Sequence, residues 1–468
     1  MKILGQTHGR GDEDEDEEKS VSQKKKWSVP RCSSSSSCLR EVAWLAMEGL
    51  RSGFATLRKE IRPLLSTPRR PRTSPVSTTT ISTRRATTPR AVSGSGFVCY
   101  SSMFEWEKKY ETPDWAAKLA TPEHGRVRLG LFPTPIHKWA LPRLPPNVEV
   151  YIKRDDLSGM QLSGNKVRKL EFLLAEAKAK EYDSVITIGG IQSNHCRATS
   201  VASRYLGLDC FLILRNSRAA VDSDPGLVGN LLVERLVGAS VEQVTKEEYT
   251  RVGSVELCRQ LQEKLKKSGR NPYIIPVGGS NALGSWGYLQ FVEELSKQAD
   301  QASGPFTDIV MACGSGGTTA GIGLGCHLAK TGTKVHAYGV CDDPKYFYDY
   351  CQEILDGMGA TAEVVGATSR DLFTAIQAKG SGYAISTEEE LAFVKEVAET
   401  TGVILDPVYS GKALYQFMQD VAREPSAWAN KKVLFLHTGG LLGMYDKTDQ
   451  LLKLMDASKA SRMEVVPS

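Results

Sequence analysis

Short apolar runs rich in β-branched residues alternate with helical patterns from about Phe104 to the end of this 468-residue chain. Seven runs are typical of strands and begin at Val148, Val185, Cys210, Tyr273, Asp308, Val335 and Val433. Amphipathic stretches predict helices over 166–180, 194–206, 226–238, 284–299, 318–331, 387–401 and 411–423. Because a strand followed by a helix leads the chain back to a parallel neighbour, the sequence predicts an α/β fold whose parallel sheets are covered by helices on both faces.

Glycines follow four of the predicted strands, at Gly189-Gly190, Gly278-Gly279, 314–317 and Gly439-Gly440. Ligands of open parallel sheets bind at the carboxyl ends of the strands. One glycine at such a place means little, since glycine ends strands in most proteins. Four at the same kind of place predict a single binding crevice.

Residues 163–169, Ser-Gly-Asn-Lys-Val-Arg-Lys, place three cations in the first turn of a predicted helix, where the backbone dipole is already positive. Each such cation costs roughly 0.3–1 kcal/mol unless an anion lies nearby. Lys166, Arg168 and Lys169 therefore indicate a bound phosphate or carboxylate, and one of the lysines is a candidate chemical centre. The alternative is a solvated basic helix start. Two residues fit a side-chain cap: Ser163 and Asn165.

The segment Cys313-Gly-Ser-Gly-Gly-Thr-Thr-Ala-Gly321 joins a predicted strand to a predicted helix. Thr319 stands where a dinucleotide-binding motif requires glycine, and the segment has no P-loop lysine. Its N–H groups and hydroxyls fit a monophosphate better, with a tight structural turn as the alternative. The candidate phosphate ligands are Gly314, Ser315, Gly316, Gly317, Thr318 and Thr319.

Two further motifs contribute candidate side chains. Gly189-Gly-Ile-Gln-Ser-Asn leads into a helix, where Ser193 and Asn194 either bind a substrate carboxylate or simply cap the helix. Asp406-Pro-Val-Tyr-Ser-Gly-Lys412 offers Tyr409, although a tyrosine in such a loop more often packs than reacts.

The first 102 residues differ in composition from the rest. A net charge of +8 lies between Met47 and Gly96, in a stretch rich in Ser, Thr, Arg and Pro, whereas the remainder of the chain sums to −3. We expect 1–102 to be a disordered leader with a transit signal, mitochondrial before plastid, and Met47 or Met103 to be possible downstream starts, the latter giving a cytosolic form. A disordered tail is the alternative.

Composition excludes several classes of protein. No run of eighteen apolar residues is present, so we expect no membrane span, and the ten cysteines lack the spacing of a zinc site or a disulfide framework. The slightly acidic folded part argues against nucleic-acid binding. The length predicts two domains, and metal chemistry is not expected.

These motifs together resemble the pyridoxal-phosphate family that contains 1-aminocyclopropane-1-carboxylate deaminase and D-cysteine desulfhydrase, in its plant-like form. The resemblance runs from about Phe104 to the end and is carried by Ser163–Lys169, Gly189–Asn194, 314–321 and Asp406–Lys412. It implies the tryptophan-synthase-β-like fold type II, with two open twisted parallel sheets, and a homodimer. The domains expected are a large cofactor-binding domain, 103–168 plus 280–468, and a smaller one, 169–279.

The resemblance also assigns roles to residues. Lys166 is expected to bond pyridoxal phosphate covalently, the loop 314–319 to bind its phosphate, and Asn194 to contact its ring hydroxyl. Three further residues are expected to bind the cofactor: Lys169, Ser410 and Thr438. Ser193 and Asn194 are expected beside the substrate carboxylate, and Tyr409 and Tyr383 beside the substrate. Three residues remain unranked as the base for the Cα proton: Lys166, Ser193 and Tyr409. The cations Arg168 and Lys169 are expected to favour the neutral amine of Lys166.

Two positions bear on the reaction. Deaminases of this family have sequences similar to Tyr-Glu-Gly-Lys and His-Leu-Gly-Gly, in which the glutamate keeps the pyridine nitrogen protonated. In place of this glutamate and of the leucine, this chain has Ser410 and Thr438. Neutral hydroxyls make a milder electron sink, which is sufficient for a thiolate leaving group. The resemblance therefore favours α,β-elimination of D-cysteine to pyruvate, hydrogen sulfide and ammonia.

Other functions stay open at this stage. The chain resembles a deaminase or a dual-activity enzyme nearly as well. A racemase, a dehydratase or a non-catalytic sensor of phosphate ligands could share the same fold. The partner expected in each case is a small molecule, and for the enzymes a small amino acid.

Overall fold

Twelve strands form three sheets in the part of the chain that the computed structural model describes, residues 104–159, 161–299, 304–463 and 465. The predicted leader, 1–102, lies outside these residues. The smallest sheet pairs β1 (Trp106–Glu107) with β2 (Arg126–Val127) in antiparallel fashion.

The large sheet has six strands in the order β11-β10-β9-β12-β4-β3. All neighbours are parallel except β3, which is an antiparallel edge strand. β9 is buried along its whole length, which explains why it is a continuous apolar run rather than an alternating one. The strands are β3 (Ile136–Lys138), β4 (Glu149–Arg154), β9 (Asp308–Cys313), β10 (Lys334–Gly339), β11 (Thr374–Gln377) and β12 (Lys432–His437).

The small sheet has four parallel strands in the order β7-β6-β5-β8. β5 and β6 are central and apolar, while β7 lies at an edge and is largely polar. The strands are β5 (Ser184–Gly190), β6 (Asp209–Asn216), β7 (Ser240–Thr245) and β8 (Pro272–Ile274).

Helices cover both faces of the two parallel sheets. They are α1 (Lys166–Ala179), α2 (Asn194–Tyr205), α3 (Asn230–Leu236), α4 (Lys246–Val252), α5 (Ser254–Lys267), α6 (Ala282–Gln298), α7 (Gly317–Leu328), α8 (Pro344–Gly357), α9 (Ala362–Val365), α10 (Ser369–Leu372), α11 (Glu388–Thr401), α12 (Ser410–Arg423), α13 (Pro425–Trp428) and α14 (Thr448–Leu452). Short 3-10 helices lie at Asp114–Ala116, Asp155–Leu157, Val277–Gly279, Leu441–Lys447 and Ala457–Lys459.

Each face of each parallel sheet has its own apolar core. On one face of the large sheet α6, α7 and α8 bury Trp286, Phe291 and Met311, and on the other α11 and α12 bury Phe393 and Phe417. The small sheet is covered on one face by α1, α2 and α3 and on the other by α5. These layers place the carboxyl ends of strands from both sheets around one cavity.

All seven predicted strands and all seven predicted helices are confirmed, with ends that differ by a few residues. The helix predicted over 226–238 is shortened to Asn230–Leu236, because Gly229 has a φ of 59° and stands directly before it. Seven helices of the described residues were missed, α4, α5, α8, α9, α10, α13 and α14, together with the edge strands β3, β7 and β11 and the pair β1 and β2. The edge strands carry few apolar residues, so their assignment depends on pairing rather than on pattern. The domain boundaries stay a prediction.

Candidate active site

A cavity of about 960 Å³ lies at the carboxyl ends of strands from both sheets. Its lining includes Gly190 at the end of β5, Arg215 near the end of β6 and Cys313 at the end of β9. This is the place where parallel sheets bind ligands, as the glycine turns predict. The predicted site residues that line it are Lys166, Ser193, Asn194, Gly314, Ser315, Gly316, Thr318, Thr319, Tyr383 and Tyr409.

Lys166 is the first residue of α1 and is half-buried in the cavity wall. Among the described residues its amine has neither a hydrogen-bond partner nor an ion-pair partner. Burial lowers the pKa of Lys166 to about 8, although Asp406 and Cys313 oppose the shift. Burial, rather than the neighbouring cations that the sequence suggested, is therefore the main reason why the neutral amine is favoured.

Arg168 does not contribute to an anion site, contrary to the prediction. Its guanidinium is fully buried and bonds Asp155 Oδ1 at 2.8 Å and Glu294 Oε2 at 2.9 Å. The ring of Phe132 lies over it, 4.1 Å from the guanidinium carbon. Its charge is balanced by protein carboxylates, and the same contacts fix the first turn of α1 beside Lys166. The helix also lacks the expected side-chain cap, since neither Ser163 nor Asn165 supplies one.

Lys169 points the other way, toward the loop that follows β9. Its amine donates to Ser280 Oγ at 2.8 Å and to the carbonyl oxygen of Gly278 at 3.2 Å. Ser280 Oγ lies 2.8 Å from Ser315 Oγ and accepts from the N–H of Gly317 at 3.2 Å. Burial moves the pKa of Lys169 well below its usual range. Ser280 was missed from the sequence, although it directly follows the Gly278-Gly279 turn.

The loop 314–319 fits a phosphate group. Helix α7 begins at Gly317, so the N–H groups of its first turn have no carbonyl partner within the helix and carry partial positive charge beside the Lys169 amine. Thr319 Oγ1 is buried and has no partner among the described residues. A Cβ on Gly317 would lie 2.8 Å from Ser280 Oγ and 3.0 Å from Lys169 Nζ, so only glycine leaves this space open.

Ser193 and Asn194 lie at the start of α2. Ser193 is the helix cap, because its Oγ accepts from the N–H of Cys196 at 3.1 Å, which is the structural role left open by the sequence. Asn194 Oδ1 accepts from Asn230 Nδ2 at 2.9 Å. Both residues line the cavity, and Asn194 is held in place by Asn230.

Arg197 joins this helix to the segment that precedes Lys166. It is buried and donates to the carbonyl oxygens of Gln161 at 2.5 Å and Ser163 at 2.8 Å, and to Asn230 Oδ1 at 3.2 Å. Burial lowers the pKa of Arg197 to about 10. Two of the predicted site residues, Lys166 and Asn194, are thus positioned through one guanidinium, which sequence reasoning did not identify.

The two predicted tyrosines are brought together. The hydroxyl oxygens of Tyr383 and Tyr409 are 2.6 Å apart, and both rings line the cavity. A Cβ on Gly314 would lie only 2.8 Å from Tyr409 Cε1, so Tyr409 packs against the predicted phosphate loop. Burial raises the pKa of both tyrosines, that of Tyr409 more strongly. Both therefore remain protonated donors at neutral pH.

Ser410 and Thr438 form a pair, with Ser410 Oγ 3.1 Å from Thr438 Oγ1. Neither lines the cavity directly. Asp406 lies beside them and accepts from the N–H groups of Tyr409 at 2.7 Å and Ser410 at 2.8 Å, which fixes the start of α12. Burial raises the pKa of Asp406 despite these hydrogen bonds. The two positions expected to influence the reaction are therefore adjacent in space.

A half-buried lysine with an unpaired amine, a glycine-rich loop at a helix start and a second lysine against that loop define a site suited to a phosphorylated aldehyde. A family model described as pyridoxal-phosphate dependent enzyme matches residues 127–439, and the chain belongs to this family. Its cofactor is therefore pyridoxal phosphate.

The chain is also similar to particular proteins of this family. The chain is 56% identical over 367 residues to the mitochondrial bifunctional D-cysteine desulfhydrase/1-aminocyclopropane-1-carboxylate deaminase of Arabidopsis thaliana, covering 78% of this chain and 90% of that protein. It is 36% identical to a D-cysteine desulfhydrase of Serratia proteamaculans, covering 64% and 88%. The crystal structure of an ACC deaminase homologue, 34% identical, matches with a TM-score of 0.60 over 70% of this chain and 96% of that one.

The described residues contain neither a membrane-spanning helix nor a metal-binding cluster. No helix in this part of the chain is both long and apolar enough to cross a bilayer. Residues 104–159, 161–299, 304–463 and 465 also hold no group of three or more acidic, histidine or cysteine side chains arranged to bind a metal ion.

Proposed function

We propose that the chain is a carbon–sulfur lyase that converts D-cysteine and water to pyruvate, ammonia and hydrogen sulfide. The observation that carries the proposal is the Ser410–Thr438 pair, with two hydroxyls 3.1 Å apart where the deaminases that this chain resembles have a glutamate and a leucine. The names of the relatives from Arabidopsis thaliana and Serratia proteamaculans support it.

The proposed roles follow from the contacts in the cavity. Pyridoxal phosphate, when bound, supplies an electron sink for negative charge at Cα. Lys166 would hold it covalently, while Lys169, Ser280 and the start of α7 would hold its phosphate. Asn194 would contact its ring hydroxyl, and Ser410 and Thr438 would face its ring nitrogen.

The candidates for the base can now be ranked. The amine of Lys166 has a pKa of about 8 and no protein partner among the described residues, so it accepts a proton readily near neutral pH. Ser193 Oγ already accepts the capping hydrogen bond, and the hydroxyl of Tyr409 has a pKa well above its usual range. We therefore propose Lys166 as the base that removes the Cα proton, with Tyr409 and Tyr383 as donors beside the substrate.

Product analysis tests the reaction. Sulfide, pyruvate and ammonia should form from D-cysteine with purified protein, and less from L-cysteine. The Lys166→Ala variant should form none of them. Sulfide from neither enantiomer would refute the proposal, and pyruvate from serine without sulfide from cysteine would indicate a dehydratase. Altered chirality without elimination would indicate a racemase, and ligand binding without turnover would indicate a sensor.

A dual activity is the second candidate, because the Arabidopsis thaliana relative is named for both reactions. The test is the ratio of 2-oxobutanoate formed from the cyclopropane amino acid to sulfide formed from D-cysteine. Ser410→Glu should raise this ratio, and Ser410→Gln, which has the same size but no charge, should not. Equal ratios in the two variants would show that the charge at position 410 does not determine which of the two reactions is favoured.

Location and assembly are proposed separately. We propose a mitochondrial location, supported by the basic Ser- and Thr-rich stretch before Gly96 and by the mitochondrial name of the Arabidopsis thaliana relative. Plastid import and a cytosolic form from Met103 are the alternatives, and a fluorescent fusion of 1–102 distinguishes them. We also propose a homodimer, which light scattering should detect as twice the mass of one chain.

A further inference from the structure

Besides Lys166, one further cation that lines the cavity, Arg215, has no counter-charge among the described residues. Arg215 lies near the end of β6 and lines the cavity at the carboxyl edge of the small sheet. Among the described residues its guanidinium makes no hydrogen bond and no ion pair, and Asp342 on the same wall is not paired with it. Arg215 is half-buried, so solvent can replace only part of the pairing that a fully buried arginine requires. A free guanidinium in a concave site is instead suited to an anionic ligand.

Two tyrosine rings hold this guanidinium. Its central carbon lies 4.7 Å from the centre of the Tyr249 ring and 5.4 Å from that of Tyr383. Where a guanidinium stacks on an aromatic ring, the N–H donors at its edge stay free. Those donors match the two oxygens of a carboxylate. The Arg215 guanidinium is therefore positioned to bind an anion before any ligand is present.

The contacts of Tyr383 locate Arg215 relative to the reacting atoms. The Tyr383 hydroxyl is 2.6 Å from that of Tyr409, whose ring packs on Gly314. The guanidinium is thus connected to the phosphate loop through two rings. We therefore expect Arg215 to contact the part of a substrate that lies away from Cα.

The cavity has room for such an extension. Its volume of about 960 Å³ is near the upper end of the range of about 300–1,000 Å³ for small-molecule sites. Cysteine is among the smallest amino acids, so the cofactor and cysteine leave part of this volume for a larger substituent.

We propose that Arg215 is a distal anion subsite, which binds a carboxylate carried on the sulfur of an S-substituted D-cysteine. The inference rests on the proposed function and extends it to larger substrates. S-carboxymethyl-D-cysteine and water would give pyruvate, ammonia and thioglycolate. The Cα proton is removed, the Cβ–S bond breaks, sulfur leaves with the electron pair and takes a proton, and water supplies the carbonyl oxygen of pyruvate.

The test compares two substrates of nearly equal shape. S-carboxymethyl-D-cysteine carries the charge, and S-carbamoylmethyl-D-cysteine replaces it by a neutral amide. The selectivity is the ratio of their kcat/KM values, and it should exceed about tenfold in the unmodified enzyme, as expected for one charge-assisted hydrogen-bonded contact. Arg215→Gln should lower the ratio by about tenfold, and Arg215→Lys should lower it less, because lysine keeps the charge but loses the fork of donors.

Arg259 offers a matched control. It also lines the cavity, but its guanidinium is already bound to Glu256, at 2.6 Å through Nε and 2.7 Å through Nη2. Arg259→Gln should leave the selectivity within about twofold of the unmodified enzyme, because a paired surface arginine contributes little.

A binding measurement separates this inference from the proposed reaction. The dianion 3-(carboxymethylthio)propanoate lacks the amino group and cannot react. Calorimetry on the holoenzyme should give a dissociation constant at least about tenfold lower for it than for the corresponding amide, with the difference lost in Arg215→Gln.

The possible outcomes are distinct. If D-cysteine yields no sulfide, the proposed function fails, and the calorimetry still decides the subsite. If D-cysteine reacts but the unmodified enzyme does not prefer the charged compounds, the subsite is refuted, whether or not the variants fold. If Arg215→Gln lowers kcat/KM equally for D-cysteine and both S-substituted compounds, Arg215 binds the α-carboxylate instead, and the subsite is again refuted.

Discussion

The pKa of Lys166 gives a prediction that tests the chemistry of the site directly. Burial lowers this pKa from 10.5 to about 8. Each pKa unit corresponds to about 1.4 kcal/mol, so the cavity disfavours the charged amine by about 3 kcal/mol. At pH 7.5 about a quarter of the amine is then neutral, compared with about one molecule in a thousand for an ordinary lysine.

Changing Asp406 should move this value further. The charge of Asp406 raises the pKa of Lys166 and so partly offsets the effect of burial. Asp406→Asn removes the charge, and we expect the pKa of Lys166 to fall below 8. Asp343→Asn is the matched control, because Asp343 also caps a helix, accepting from the N–H of Tyr346 at 2.8 Å, but does not act on Lys166.

Trace acylation of cofactor-free protein measures the pKa. The rate of labelling by acetic anhydride follows the neutral fraction of each amine, and fragment ions distinguish Lys166 from Lys169. The midpoint for Lys166 should lie near pH 8, and that for exposed Lys138, whose pKa is raised by its hydrogen bond to Glu149, should lie above 10.5. A Lys166 midpoint near 10.5, or an upward shift in Asp406→Asn, would contradict the burial argument.

Three further predictions concern the supports of the site. Arg168→Met should lower the free energy of unfolding by about 3–5 kcal/mol, because it leaves Asp155 and Glu294 buried with one cation fewer. Lys345→Met, at an exposed ion pair, should change it by less than about 1 kcal/mol. Urea titration compares the two variants. Burial opposes ionisation of Glu294, but Arg168 and Lys153 outweigh it and hold the pKa of Glu294 at about 2. The charged carboxylate therefore stabilises the fold fully above pH 4.5, and this stabilisation disappears as the pH falls toward 2. The loss of stability in Glu294→Gln should therefore be smaller at pH 3 than at pH 7. Gly317→Ala should weaken cofactor binding at least about tenfold in a fluorescence titration, because its methyl group would crowd Ser280 and Lys169, whereas Gly443→Ala, with nothing within 4 Å, should not.

The sequence was sufficient for the central strands and for most of the loops around the cavity. Apolar runs and helical spacing are local properties, and β5, β6, β9 and β12 are buried strands that such patterns reveal. The glycine turns after β5, β8 and β9 line the cavity as predicted, because they precede helix starts where backbone N–H groups are free, whereas the fourth turn, Gly439-Gly440, is not part of the lining. Helix α5 was missed although its buried face, Cys258, Leu261 and Leu265, has helical spacing.

The tertiary structure decided which charges are available for binding. Three cations lie close together in the motif 163–169, but Arg168 is neutralised by Glu294, 126 residues away in sequence, while Lys169 reaches Ser280, 111 residues away. Arg215 shows the opposite case, an ordinary strand arginine that the fold leaves unpaired in the cavity. Local sequence thus determined the central strands, half of the described helices and the glycine turns, because their patterns depend on neighbouring residues. Burial and pairing depend on residues far apart in the chain, and so only the folded protein determined the pKa of Lys166 and the partners of each charge.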